Sequence, residues 1–301
     1  MQRSFTTRYF PWLVLIPALT WFVLFVAYPF LYSLVSSFFL WFVQNPSASK
    51  FVGLKNYIDL FHDPRFITAV RNTFLYAGLK TGLVVFLGIM LAKTLFAVKF
   101  GGRIYMFSIF LPSLCSAVAI GLFFTYLYQP QFGLFNILFK QISIPKQGFL
   151  NSPQQAIYCV IFTEIWQAIG FSTLIFLTGL NTIPEVFYEA AQIDGASAFT
   201  AFWKVIFPLA RRVFLFITAV TAISAFQAFD LVFVMTLSGG GTGGASGGPG
   251  YSSYTMALQV YNDGMIRSQT GMASAIALIL FIIVGILTLF QLKVLKPEWE
   301  Y

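Results

Sequence analysis

Charge is scarce in this sequence. Asp, Glu, Lys and Arg together make up 9% of its 301 residues, against about 25% in soluble domains, too few to cover a water-facing surface. Histidine occurs once, at His62, which leaves a histidine-based metal site without its second imidazole. The two cysteines, Cys115 and Cys159, lie inside apolar runs and offer neither a disulfide framework nor metal-ligand spacing. No Gly-Lys-Ser/Thr phosphate-loop ending occurs, so the chain is expected to carry no ATPase site and to bind no cofactor or metal itself. The Gly-rich stretch 238–250, SGGGTGGASGGPG, reads instead as a flexible connection between two helices.

Apolar side chains are what the sequence has in abundance. They form 58% of the chain, with 37 Phe and 6 Trp suited to a lipid-facing exterior. A bilayer core of about 30 Å needs roughly 20 apolar residues per helix. Six runs meet that need, at about 11–39, 73–97, 104–128, 154–180, 212–237 and 271–292. The expected fold class is therefore all-α integral membrane with six transmembrane helices. Arg3 and Arg8 precede the first run, but that run is far longer than the apolar core of a signal peptide, so it is expected to stay as a helix.

The net charge of +8 comes from 18 basic residues scattered through short loops. A nucleic-acid protein clusters such residues on one solvated face, so no nucleic-acid partner is expected. With both termini inside, ten basic residues fall on inner loops and seven on outer ones, and Lys80 falls within a span. That bias predicts cytoplasmic termini in a multi-pass protein of the cell membrane. The chain then divides into an N-terminal tail 1–10, a transmembrane domain 11–292 and a C-terminal tail 293–301.

The inner loop 181–211 is too long and too patterned for a connector. Asn181-Thr182 can cap a helix whose first turn suits Pro184, with Glu185 and Glu189 near its positive end. Gly195 is placed to end it in a left-handed cap, and Ser197 to begin a second short helix. Pro208 marks the turn into the fifth span. The physics gives a helix–turn–helix on the cytoplasmic face, with Phe187, Phe199, Phe202 and Trp203 available to grip a soluble partner.

In this loop Glu189-Ala190-Ala191-Gln192-Ile193-Asp194-Gly195-Ala196, followed by Phe202, Val205 and Pro208, resembles the EAA loop of binding-protein-dependent ABC importer permeases. Arg212 stands where the family carries a second proline. The stretch Phe51–Tyr57, Asp63-Pro64-Arg65-Phe66, Asn72-Thr73, Leu111-Pro112, Phe226–Asp230 and the Gly-rich loop ahead of Tyr261 are similar to the carbohydrate branch of that family. The resemblance covers about residues 10–295. It implies a non-catalytic permease subunit of a sugar importer, paired in a heterodimer with a second permease. It further implies two cytoplasmic ATPase subunits holding ATP and Mg, an extracytoplasmic solute-binding protein, and an EAA helix that sits in a cleft of the ATPase.

Three ionisable residues fall inside expected spans: Lys80, Glu164 and Asp230. Such residues usually face a bundle interior or a wet cavity. Counted from the expected span ends, all three lie in the outer half at similar depth. One reading makes them, with Gln167, Gln227 and Phe226, a polar sugar path. Gln227 and Asp230 would then share a helical face, and Phe226 and Phe229 would form a stacking wall. The other reading is a structural Lys–carboxylate pair. An ion-coupled secondary transporter should show matching broken helices in two halves, which the sequence lacks. An intramembrane enzyme should show a nucleophile with its base, also lacking.

Overall fold

The computed structural model describes residues 5–41, 47, 49–98, 101–237 and 246–294, and within these the chain is mostly helical. Among the described residues five helices are long and apolar enough to cross a membrane, and a bent helix pair makes a sixth when counted as one span. The described residues fall into two compact units, drawn from Met1–Asp63 with Val260–Ile279 and from Pro64–Gln259 with Leu280–Tyr301.

In the first unit α1 (Phe5–Phe22) runs through a widened π turn, Val23–Ala27, into α2 (Tyr28–Ser36). Pro29 lies just beyond that turn. A proline removes one ladder donor and crowds the preceding turn, and the wider turn accommodates it. No described side chain of 14–35 is buried, as expected of a helix apolar on all sides. The strands β1 (Phe39–Leu40) and β2 (Lys50–Phe51) then pair antiparallel, with Phe39 opposite Phe51. This small departure from an all-α fold is held by α3 (Lys55–His62), whose buried Asn56 donates to the carbonyls of Ser37 and Phe39 at 2.7 and 2.9 Å. From the other end of the chain the unit includes a π turn, Asn262–Ile266, where Arg267 pairs with the buried Asp263 carboxylate at 2.7 Å.

In the second unit the first helix, α4 (Pro64–Phe96), has 33 residues and begins nine residues before the expected span. Pro64 starts it, where the missing N–H is no loss, and Asp63 before it is extended, as a residue preceding proline should be. The helix is about 50 Å long at 1.5 Å per residue, so it overshoots the hydrocarbon core.

The third span is broken. α5 (Gly102–Leu114) and α6 (Ala117–Leu127) meet at 94°. Pro112 removes one ladder donor near the end of α5, and Ser116 is extended at φ −59°, ψ 133°. The short helix α7 (Leu134–Gln141) follows, and then the fourth span, α8 (Ala156–Asn181).

The fifth span is also interrupted. α12 (Arg211–Phe226) stops at Gln227 and α13 (Asp230–Leu237) starts three residues later. Backbone polar groups freed inside a membrane must find partners. The Ala228 carbonyl accepts from Thr255 Oγ1 at 3.0 Å. Most of the Gly-rich stretch lies outside the described residues. The residues just after it are held by the Asn72 amide, which donates to the carbonyls of Tyr251, Ser252 and Tyr254 at 3.0–3.2 Å. The helices α14 (Met256–Tyr261) and α15 (Thr270–Val294) complete the chain, with residues 280–294 of α15 belonging to this unit.

Candidate functional site

Between the fourth and fifth spans the chain builds a helix–turn–helix. Its first helix is α9 (Val186–Ile193). Asn181 and Thr182 do not cap it; they end α8, where Thr182 Oγ1 donates back to the Gly179 carbonyl at 2.7 Å. Gly195 closes α9 in the left-handed region at φ +76°. The Ala196 N–H donates to the Ala191 carbonyl and the Gly195 N–H to the Gln192 carbonyl, both at 3.0 Å, a Schellman-type end. Ser197 Oγ then accepts from the Thr200 N–H at 3.2 Å and caps α10 (Ala198–Ala201). A π turn, Phe202–Ile206, carries the helix into α11 (Phe207–Leu209), so Pro208 sits within a helical segment and the chain turns at Ala210.

Burial sorts the EAA residues into anchors and a presented face. Ala191, Phe202 and Ile206 are buried, and Phe202 and Ile206 pack with Val85, Ile89 and Ala92 of α4 and Phe176 and Leu180 of α8. Phe202 therefore roots the motif, and the expectation that its ring grips a partner is corrected. Trp203 is half-buried against Phe202 and Phe207. Glu189, Ala190, Asp194 and Gly195 are exposed, and Ala196 is half-exposed. Around them stand exposed apolar side chains, Val186, Phe187, Ile193 and Phe199, with Ile193 86% exposed. Lys93 of α4 lies over the Phe199 and Phe202 rings at 4.6 and 5.0 Å from their centroids. Tyr188 is half-buried, and burial pushes its phenol above the ordinary tyrosine value.

The second constellation lies inside the spans. Lys80 stands at the midpoint of α4, sixteen residues from either end. Its side chain is 3% exposed; Nζ donates to Glu164 Oε1 of α8 and to Ser224 Oγ of α12, the latter at 3.0 Å. A cavity of about 300 Å³ opens beside this pair, with Ser113, Gln167, Ser172 and Thr221 completing its polar lining. Gln167 is tied to the break in the third span: its carbonyl accepts from Ser113 Oγ at 2.5 Å and its amide donates to the Cys115 carbonyl at 3.1 Å. Two glycines permit the close approach of these helices. A Cβ on Gly170 would stand 2.2 Å from the Ile109 carbonyl oxygen, and one on Gly88 would stand 2.5 Å from Ser172 Oγ.

The structure thus brings together Lys80, Glu164 and Gln167 at the cavity, with the Asp230 carboxylate acting on Glu164 from outside the lining, and leaves Gln227 and Phe226 off the wall. Gln227 and Asp230 share no helical face, because the helix is interrupted between them. Both are exposed, and Asp230 sits in the first turn of α13, where a carboxylate suits the helix dipole. Phe226 is 6% exposed and packs edge-to-face on Phe74 at 5.2 Å beside Ala77 and Ala225, so it is core rather than path. Phe229 stacks on Phe233 instead. Ser113, Ser172, Thr221 and Ser224 were not anticipated. Their only signals in the sequence are spacings, eight residues between Glu164 and Ser172 and three between Thr221 and Ser224, which return side chains to one helical face.

The family described as "Binding-protein-dependent transport system inner membrane component" matches residues 84–300. The "Probable ABC transporter permease protein YurN" of Bacillus subtilis is 33% identical over 294 residues, covering 96% of this chain and 97% of its own. The "sn-glycerol-3-phosphate transport system permease protein UgpA" of Brucella abortus is 28% identical over the full length of both chains. A chain in the crystal structure of a bacterial ABC transporter involved in the import of the acidic polysaccharide alginate has the same fold. It gives a TM-score of 0.83 over 98% of each chain at 19% identity. A further structure of an alginate transporter, in complex with an alginate pentasaccharide-bound periplasmic protein, also gives 0.83. This multi-pass membrane chain belongs to the binding-protein-dependent transport system inner membrane component family.

Proposed function

We propose that this chain is the non-catalytic permease subunit of an ABC importer for a sugar or sugar-like solute. The observation that carries the reading is the Gly195-capped helix–turn–helix. It is rooted by Phe202 and Ile206 in the core of the second and fourth spans and presents Glu189, Asp194, Ile193 and Phe199 outward. A surface that is exposed, amphipathic and firmly anchored suits a helix that must enter a cleft and transmit force. The relatives that handle glycerol 3-phosphate and alginate support a solute of the carbohydrate kind. An ion-coupled carrier finds no support among the relatives.

In this reading both termini and the EAA loop are cytoplasmic. The partners are a second permease, two ATPase subunits that hold ATP and Mg, and an extracytoplasmic solute-binding protein. The solute passes the cavity beside Lys80, Glu164 and Gln167. Deleting 185–208 should leave the chain in the membrane but abolish its copurification with the ATPase subunits. Recovery of the ATPase at the wild-type ratio, stimulated by loaded binding protein as before, would overturn the proposal.

A further inference from the structure

We infer that this permease carries an uncharged, hydroxyl-rich solute, because the Lys80–Glu164 pair leaves the intramembrane cavity with no free cation for an anion. The inference rests on the importer reading above and narrows its solute class. The family does not set that class, since relatives of this chain include proteins named for glycerol 3-phosphate and for an acidic polysaccharide.

The charge on the cavity wall can be read group by group. Lys80 is the one cation among the lining residues, and no arginine joins it. Its ammonium already donates to the Glu164 carboxylate and to the Ser224 hydroxyl. Glu164 is the one lining anion and is the counter-charge of that lysine, and the Asp230 carboxylate acts on Glu164 from beyond the lining, so no unmatched positive charge faces the cavity. A phosphate or carboxylate entering such a site would be stripped of water without gaining a counter-ion, a large penalty for an isolated charge. Anion sites answer that penalty with arginine forks, free lysines or helix N-termini. Here the one lysine is spent, and a carboxylate stands beside it.

The neutral part of the wall fits hydroxyls instead. Ser172 is 1% exposed, and its Oγ has no hydrogen-bond partner. A buried hydroxyl left unmatched is costly, and Ser172 places one just behind the wall rather than open to the solute. Thr221 and Gln167 add further polar atoms, and Phe171 supplies an aromatic face for the C–H side of a sugar ring. The volume of about 300 Å³ lies at the low end for small-molecule pockets, suited to one ring rather than a long chain.

The test is the charge of the delivered solute. The cognate binding protein is purified from cells with its solute in place. The solute is released and identified by mass spectrometry, and its uptake is confirmed in proteoliposomes holding the complete importer. A neutral sugar, glycoside or polyol is expected. A sugar phosphate, a uronate or an amino sugar cation would overturn the inference while leaving the importer reading standing. A solute of no carbohydrate character would overturn both the inference and the sugar class of the importer reading. In a second arm, galacturonate is tested as an inhibitor of that uptake. It should be inert on the wild type but bind Glu164→Gln at least about tenfold better, the worth of about 1.4 kcal/mol of new pairing with the released lysine. Equal inhibition of the two proteins would also overturn the inference.

Discussion

Tyr188 of α9 lies flat on Phe96, the last residue of α4, with ring centroids 5.3 Å apart and planes within 18°. The stacked pair joins α9 to the end of a helix that carries Lys80 at its midpoint. The Tyr188 hydroxyl is buried without a hydrogen-bond partner, so the ring and not the hydroxyl makes the contact. Tyr188→Phe should be neutral or slightly stabilising, since it removes an unmatched polar group. Tyr188→Ala should lower the ATPase response to loaded binding protein severalfold with normal membrane insertion. Equal ATPase responses from the two variants would show that the stacking carries no coupling.

Gly195 tests the cap on its own. No atom lies within 4 Å of a Cβ placed there, so only its φ of +76° resists substitution. Gly195→Asn should be tolerated, because asparagine adopts this region readily. Gly195→Ala should weaken the turn by about 1–2 kcal/mol. Gly195→Pro is incompatible with that φ and removes the donor to Gln192, and should nearly abolish solute-stimulated ATPase. Assay of the three in the reconstituted complex gives the ranking, and full activity in Gly195→Pro would refute it.

The ion pair separates a structural lysine from a spare one. Lys80→Ala leaves the Glu164 carboxylate largely buried without its partner, and should cost about 3–5 kcal/mol of stability. Lys80→Met with Glu164→Leu removes both charges and should restore most of that loss in a thermal melt of the purified complex. A double variant no more stable than Lys80→Ala would argue against the pairing.

Backbone contact at Gly170 should be less forgiving than side-chain contact at Gly88. Gly170→Ala drives a methyl into the Ile109 carbonyl and the Phe110 Cα, and overpacking of this kind typically costs about 1–3 kcal/mol. Gly88→Ala meets first the Ser172 side chain, with Oγ at 2.5 Å and the backbone no nearer than 3.5 Å, and should lower Tm less. The reverse order of melting temperatures would contradict the helix approach described for α5 and α8.

Orientation can be read with an impermeant thiol reagent in a background lacking Cys115 and Cys159. Lys146 and Glu185 are exposed and lie on the two connections that flank the fourth span. Lys146→Cys should label from outside intact cells and Glu185→Cys only after permeabilisation. Labelling of Glu185→Cys from outside would reverse the proposed topology.

Much of this was legible in the sequence because it is local. Apolar runs give spans, and Gly195 followed by Ser197 gives a stop and a start within three residues. The failures have distant causes. Nothing near Gln227 marks a break, since the carbonyl it frees is matched by Thr255, 27 residues away. Phe226 looked free for a solute because its partner Phe74 lies on another helix. Asn181 and Thr182 can cap either neighbouring helix, and the longer fourth span claims them. Small hydroxyls such as Ser172 and Ser224 pass for filler in an apolar run until the facing helix is known.

Lys80 is also a polar tie that three helices share, which gives it the position of a fulcrum. Three rods, α4, α8 and α12, are pinned to one another at a single ammonium through Glu164 and Ser224. Rods pinned at one shared point tilt more easily than they slide, so travel grows with distance from the pin. Probes at the two ends of α4 and α8 should then separate further through the transport cycle than probes beside Lys80, and uniform displacement along the helices would dismiss the pivot. The depth of the cavity beside Lys80 is on this account the stillest place along these three helices.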